Sequence, residues 1–193
     1  RTKNEPLTAI TLAGKGRPIA ADDGFAVLSD GTIATFEGDH WDVRDGRTLA
    51  LLRRIELQHK RVTASPTALV GVVNPSRYET KSAEKLALVS LSDGNELRLV
   101  APPDGMRFTD PLAFSPDGTK LYVGVRDDKR SGVTAIGVET GTILGTLSDL
   151  HQSQQAATTS LTVNVDGTRL IEGNADQTAL VLDTSVLLAS RRP

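Results

Sequence analysis

Cysteine is absent from the 193 residues, which removes disulfides, thiolate nucleophiles and cysteine-bound metal in one step. It also leaves the redox compartment open, because a chain without thiols is stable on either side of a membrane. Aromatic residues are scarce, at 4%. The longest apolar run, Ala68 to Val73, is six residues, too short to span a bilayer as a helix. Neither charge is in excess: 22 Lys and Arg against 24 Asp and Glu leave a formal net charge of −2. That balance lacks the electrostatic footprint of a nucleic-acid binder. No basic-then-apolar leader opens the chain, and residue 1 is Arg rather than Met, so the expectation is a removed leader or a piece of a longer protein.

Strand formers are abundant. Val, Ile and Thr together number 44, punctuated by 17 Gly and 9 Pro. They fall into a repeat. Its clearest unit is Leu112-Ala113-Phe114-Ser115-Pro116-Asp117-Gly118-Thr119-Lys120-Leu121-Tyr122-Val123-Gly124, two apolar runs around a turn in which Pro presets φ and Gly supplies a positive one. This predicts a β-hairpin. The pattern returns at Leu161–Ile171 and at Phe25–Ala34. A second hairpin signal follows each first one, at Trp41–Leu49, Val89–Leu97, Ile136–Leu144 and, more loosely, Leu182–Leu187. Its turn positions Gly46, Gly94, Gly141 and Ser185 stand 48, 47 and 44 residues apart.

Two hairpins per repeat make four short strands, a to d. A sheet of that size cannot bury both its faces alone, and stacking such sheets face to face around an axis gives a β-propeller. The expected fold is therefore all-β, with four consecutive four-stranded antiparallel blades at about 20–56, 62–102, 110–148 and 158–190. The second keeps only Ser65-Pro66 of the turn. Residues 1–19 match the end of a preceding blade, with strand d around Pro6–Leu12 and then a connecting loop, and 191–193 form a tail. No segment reads as a convincing helix.

Gly173-Asn174-Ala175-Asp176-Gln177-Thr178-Ala179-Leu180-Val181-Leu182-Asp183 follows a Gly-Ser-x-Asp-x-Thr turn leading into a strand that ends in Trp-Asp, with Leu182 in the place of Trp. Trp41-Asp42 is an intact Trp-Asp pair ahead of Gly46. By these residues the chain resembles the WD40 repeat family. It resembles equally the YVTN-type propellers, to which Leu121-Tyr122-Val123 and the following Gly-Thr-Ile hairpin are similar. The Gly-His pair that opens a WD40 repeat is missing from every blade, unless His151 is a displaced remnant. The resemblance implies a structural role for Asp176, whose carboxylate would accept hydrogen bonds that hold its blade together. It implies no ligand, because propellers host scaffolds, lactonases, proteases and quinoprotein dehydrogenases alike. WD40-like rings close with roughly six to eight blades. Four would leave two apolar blade faces bare, to be covered by further sequence, another chain or a second copy.

Catalytic constellations are missing. His40, His59 and His151 are the candidate bases, and none lies in a nucleophile-elbow setting. His40, within Asp39-His40-Trp41-Asp42, reads as a capping or packing residue at a b–c turn. Carboxylates at Asp22-Asp23, at Asp39/Asp42 and at Asp127-Asp128 lack the alternating oxygen ligands of a calcium loop and read as turn formers. No phosphate-cradling loop precedes a helix. Arg53-Arg54 and His59-Lys60-Arg61 are the most basic stretch, read as the end of a strand d running into a loop.

Two charged insertions separate strands b and c: Asn74–Glu84 in the second blade and Arg126–Gly132 in the third. The b–c and d–a loops of a propeller share one rim, and binding residues sit on loops held by a rigid scaffold. Arg77, Tyr78, Arg126, Asp128 and Lys129 are accordingly the candidate partner-binding residues. The expectation is a non-enzymatic protein-interaction scaffold, with no cofactor, metal, nucleic acid or inserted membrane. Two alternatives stand beside it: part of an enzymatic or small-molecule-binding propeller with its site in the central channel, and a purely structural domain of a larger protein.

Overall fold

A computed structural model of the chain describes residues 7–11, 14–19, 25–37, 39–57, 62–73, 85–151, 158–174 and 176–189. Strand order follows chain order in every sheet. A two-stranded sheet pairs β1 (Leu7–Thr11) with β2 (Gly14–Ile19). The first large sheet is β3 (Phe25–Val27), β4 (Ile33–Glu37), β5 (His40–Arg44) and β6 (Leu51–Ile55). The second is β7 (Thr63–Ala64), β8 (Val70–Val73), β9 (Leu86–Ser90) and β10 (Glu96–Val100). The third is β11 (Arg107–Phe114), β12 (Lys120–Arg126), β13 (Ser131–Gly137) and β14 (Ile143–His151). The fourth is β15 (Thr158–Val163), β16 (Arg169–Asn174) and β17 (Ala179–Asp183), after which helix α1 runs over Thr184–Ala189. Two compact units divide the chain, Arg1–Val73 with Val89–Leu97 and Asn74–Leu88 with Arg98–Pro193.

The recurrent Asp-Gly-Thr explains itself in the a–b turns. Asp30, Asp117 and Asp166 each accept, through one carboxylate oxygen, both the N–H and the O–H of the threonine two residues on, at 2.5–3.0 Å. The intervening Gly31, Gly118 and Gly167 have φ of 80°, 68° and 75°, where a side chain would be strained. Each hairpin thus carries its own lock.

Alternation along the strands sorts side chains by face. In the first sheet, Ala34 and Phe36 share a face with Trp41 and Val43, all buried, and Phe36 meets Trp41 edge-on with ring centroids 5.6 Å apart. In the second unit, Tyr122, Val133 and Ala135 of the third sheet form one core with Leu170 and Leu187, against which Leu147, Leu161 and Leu182 pack.

Two expectations are corrected. The fourth sheet has three strands among the described residues, because Thr184–Ala189, expected within a c–d hairpin, is helix α1. Asp183 caps that helix, its Oδ1 accepting the Ser185 N–H at 2.9 Å and the Ser185 O–H at 2.6 Å, and Leu187 is buried in the core. The stretch after β1, expected as a loop, contains β2. Its Pro18 disguises it, and proline is tolerated there because, among the described residues, β2 pairs only with β1. Large apolar side chains remain exposed on strands of three sheets, at Leu51 and Leu52 of β6, Leu97 and Leu99 of β10, and Ile171 and Val181 of the fourth sheet.

Candidate functional site

In the third sheet, chain direction brings the b–c loop (127–130) and the start of β11 to one rim. Arg107 stands opposite Arg126, and Arg126 opposite Ser131. The loop is closed by Asp127. Its Oδ1 accepts the N–H groups of Lys129 and Arg130, both at 2.7 Å. Its Oδ2 accepts Arg130 Nε at 3.0 Å and Nη2 at 2.8 Å, and its own N–H donates to the Arg130 carbonyl at 2.9 Å. The Lys129 N–H, then the Arg130 guanidinium and N–H, hold the Asp127 carboxyl down to about 2.

This clasp turns Arg126, Asp128 and Lys129 outward, and all three are exposed. The Arg107 Nη2 lies 3.8 Å from Asp128 Oδ1. Like charges directly opposite in a ladder repel, so the Arg107–Arg126 juxtaposition does not help the sheet, and Asp128 offsets it only in part. The rim therefore holds charged hydrogen-bond donors at fixed spacing on a strapped loop. Arg77 and Tyr78 lie outside the described residues.

Acid should open this clasp. The folded Asp127 value lies below its ordinary 3.8, so the clasp's contribution is complete above about pH 3.8 and is lost as pH falls toward about 2. Nuclear magnetic resonance should find the Lys129 and Arg130 amide shifts titrating together with a midpoint near 2; a midpoint at 3.8 would contradict the clasp.

No family model and no curated protein matches the sequence. Solved structures do. The structure titled as the Dos1 propeller matches with a TM-score of 0.61 and 14% identity, over 87% of this chain and 46% of that one. The fold is a β-propeller. Kuenenia stuttgartiensis hydrazine synthase matches with a TM-score of 0.56 and 16% identity, over 78% of this chain and 42% of that one. The chain spans less than half the length of either, and at such identities the likeness is one of fold alone.

The propeller's first blade carries a second charged cluster. On the face opposite Trp41, Asp42 is buried, with Oδ2 accepting Arg44 Nη2 at 3.0 Å and Oδ1 accepting Arg54 Nε at 2.9 Å. Arg44 Nη2 also donates to Glu37 at 3.1 Å, and His40 lies 3.0 Å from Asp39 and 3.3 Å from Asp42. Guanidinium groups thus occupy both oxygens of Asp42, while Asp39 Oδ1 lies against His40 Nδ1. Among the described residues no group of three metal-ligating side chains could hold an ion. Arg53 is likewise committed, donating to the Leu91 carbonyl at 3.2 Å. The basic stretch is a set of structural ties at these two positions; His59, Lys60, Arg61 and the Asp22-Asp23 pair lie outside the described residues.

In the fourth blade, Asp176 accepts the Thr178 N–H at 3.0 Å and O–H at 2.6 Å, tying its own b–c turn. Sequence reasoning missed Glu172, which is fully buried and accepts the Thr158 hydroxyl. It also missed Arg107, nineteen or more residues from every other member of the rim and brought to it by strand register. A helix long and apolar enough to cross a membrane is absent among the described residues.

Proposed function

We propose that the chain acts as a non-enzymatic protein-interaction scaffold, and that the rim of the third blade is where a partner docks. The observation that carries this is the Asp127 clasp, which holds Arg126, Asp128 and Lys129 outward on a loop between two long, buried strands. A pre-ordered loop loses little entropy on binding, and charges held at a rim steer encounter. The partner class that fits is a protein surface or peptide with carboxylates matched to Arg107, Arg126 and Lys129.

A photo-crosslinking side chain placed at Lys129 should form a discrete adduct with one protein in cells of the source organism. The same group at Thr140, exposed in the c–d turn of the opposite rim, should not. Adducts at both positions, or at neither, would remove the rim as the docking site.

A further inference from the structure

We infer that Asp104–Gly105 is a self-modification site, where the chain converts its own aspartate to isoaspartate through a cyclic imide. An Asp-Gly step favours this reaction, because a residue without a side chain lets its backbone nitrogen reach the preceding carboxyl carbon. The sequence has seven such steps, beginning at Asp23, Asp30, Asp45, Asp93, Asp104, Asp117 and Asp166. Asp23 lies outside the described residues. Ring closure needs the carboxyl and the glycine N–H uncommitted, and the carboxyl neutral. Five of the described steps are tied. Asp30, Asp45, Asp93, Asp117 and Asp166 each accept the N–H of the residue two further on, at 2.8–3.1 Å. Hydrogen bonds, led by those from Thr32 to Asp30, Thr48 to Asp45, Ser90 to Asp93, Ser115 to Asp117 and Thr168 to Asp166, hold these carboxyls below their usual range. At four of the five the nitrogen is committed as well: the N–H groups of Gly31, Gly94, Gly118 and Gly167 donate to backbone carbonyls at 2.8–3.0 Å.

The turn at Asp104, between β10 and β11, is built differently. The Met106 N–H donates to the Pro103 carbonyl at 3.0 Å, and Gly105 has a φ of 73°, which makes this a type II turn with glycine in third place. Such a turn uses the N–H of its fourth residue and leaves that of its third, Gly105, to solvent. Among the described residues no donor reaches the Asp104 carboxylate. Both residues are exposed, and a side chain at Gly105 would begin in open space. The Gly105 nitrogen can therefore bond to Asp104 Cγ while the C–O bond to the carboxyl hydroxyl breaks, and that hydroxyl leaves as water with the amide proton. Water then adds to one of the two imide carbonyls. Opening at the side-chain carbonyl restores aspartate, and opening at the main-chain carbonyl leaves isoaspartate. One water leaves and one returns, so the mass is unchanged, while the main chain gains one carbon three residues before Arg107. The inference does not depend on the scaffold reading.

The test holds the full chain folded at neutral pH for weeks, digests it, separates peptide isomers of equal mass and locates isoaspartate by electron-transfer fragmentation. The Asp117 carboxyl is held at about 2 against an ordinary 3.8, and each such unit divides its neutral share tenfold. The Asp104 peptide should therefore accumulate isoaspartate at least about tenfold faster than the Asp117 peptide. In denaturing urea the two should convert at similar rates, because the Asp-Gly pair is then all that remains of either turn. A folded chain in which Asp104 converts no faster than Asp117 overturns the inference. So does a difference that persists undiminished in urea, since it would lie in the neighbouring residues and not in the turn.

Discussion

Tyr122→Ala is expected to destabilise the second unit by about 3–5 kcal/mol, the range for deleting a large buried side chain. The ring is buried in the core that joins the third and fourth blades, so no solvent is at hand to fill the cavity. Its hydroxyl is hydrogen-bonded to Thr184. The Thr184 hydroxyl already donates to the Gly167 carbonyl at 2.9 Å, so it accepts from the phenol. Burial raises the pKa of Tyr122, which keeps that donor protonated. Tyr122→Phe retains the packing and loses one hydrogen bond, for about 1 kcal/mol. Urea unfolding of both variants separates the two terms. If Phe costs as much as Ala, the hydrogen bond rather than the packing holds α1 in place.

Asp42→Ala is the second large effect, in the first unit. Asp42 is 2% exposed, and its two oxygens neutralise Arg44 and Arg54. Removing one partner of a buried ion pair costs about 3–5 kcal/mol, because the remaining charge has no solvation. Here the Arg54 side chain is half exposed and can turn to water, while Arg44 is largely buried. The expected loss is therefore smaller, about 2–3 kcal/mol. Asp42→Asn should recover little, since its NH2 group meets a guanidinium donor where an acceptor is required. Thermal unfolding should show both variants several degrees below the wild type, at about 2–4 °C per kcal/mol for a chain of this size. An Asn variant as stable as the wild type would mean that Asp42 is a neutral spacer.

The propeller could be read from the sequence because its turns are chemically local. Asp30, Asp117 and Asp166 lock onto a threonine two residues away, and the glycine between them takes the positive φ, so the hairpins need no knowledge of the rest of the chain. What escaped depends on distant contacts. Thr184-Ser185-Val186-Leu187 has the composition of a strand, and only the burial of Leu187 against the third blade makes it a helix. The same aspartate that reads as a hairpin turn, Asp183, is also a good N-cap. Arg107 joins the rim across a register irregularity between Thr109 and Leu112, which residue spacing could not anticipate. The burial of Asp42 and Glu172 was hidden for the opposite reason, since charged residues on strands are expected in solvent.

Connection lengths differ between the two ends of each sheet. The a–b connections, 28–32, 65–69, 115–119 and 164–168, are all of one length, and the c–d connections 45–50, 91–95 and 138–142 differ by a single residue. The b–c connections run from the pair 38–39 to the twelve residues 74–85, with 127–130 and 175–178 between those extremes. Where an a–b or c–d turn closes on its own carboxylate, as at Asp30, Asp45, Asp93, Asp117 and Asp166, it fixes how its strands are aligned, so a change of length at the far end leaves that alignment alone. One edge is a fixed chassis. The other is free to be rewritten by insertion and deletion without refolding the blade beneath it, which lets such a frame acquire new surfaces while its core stays the same.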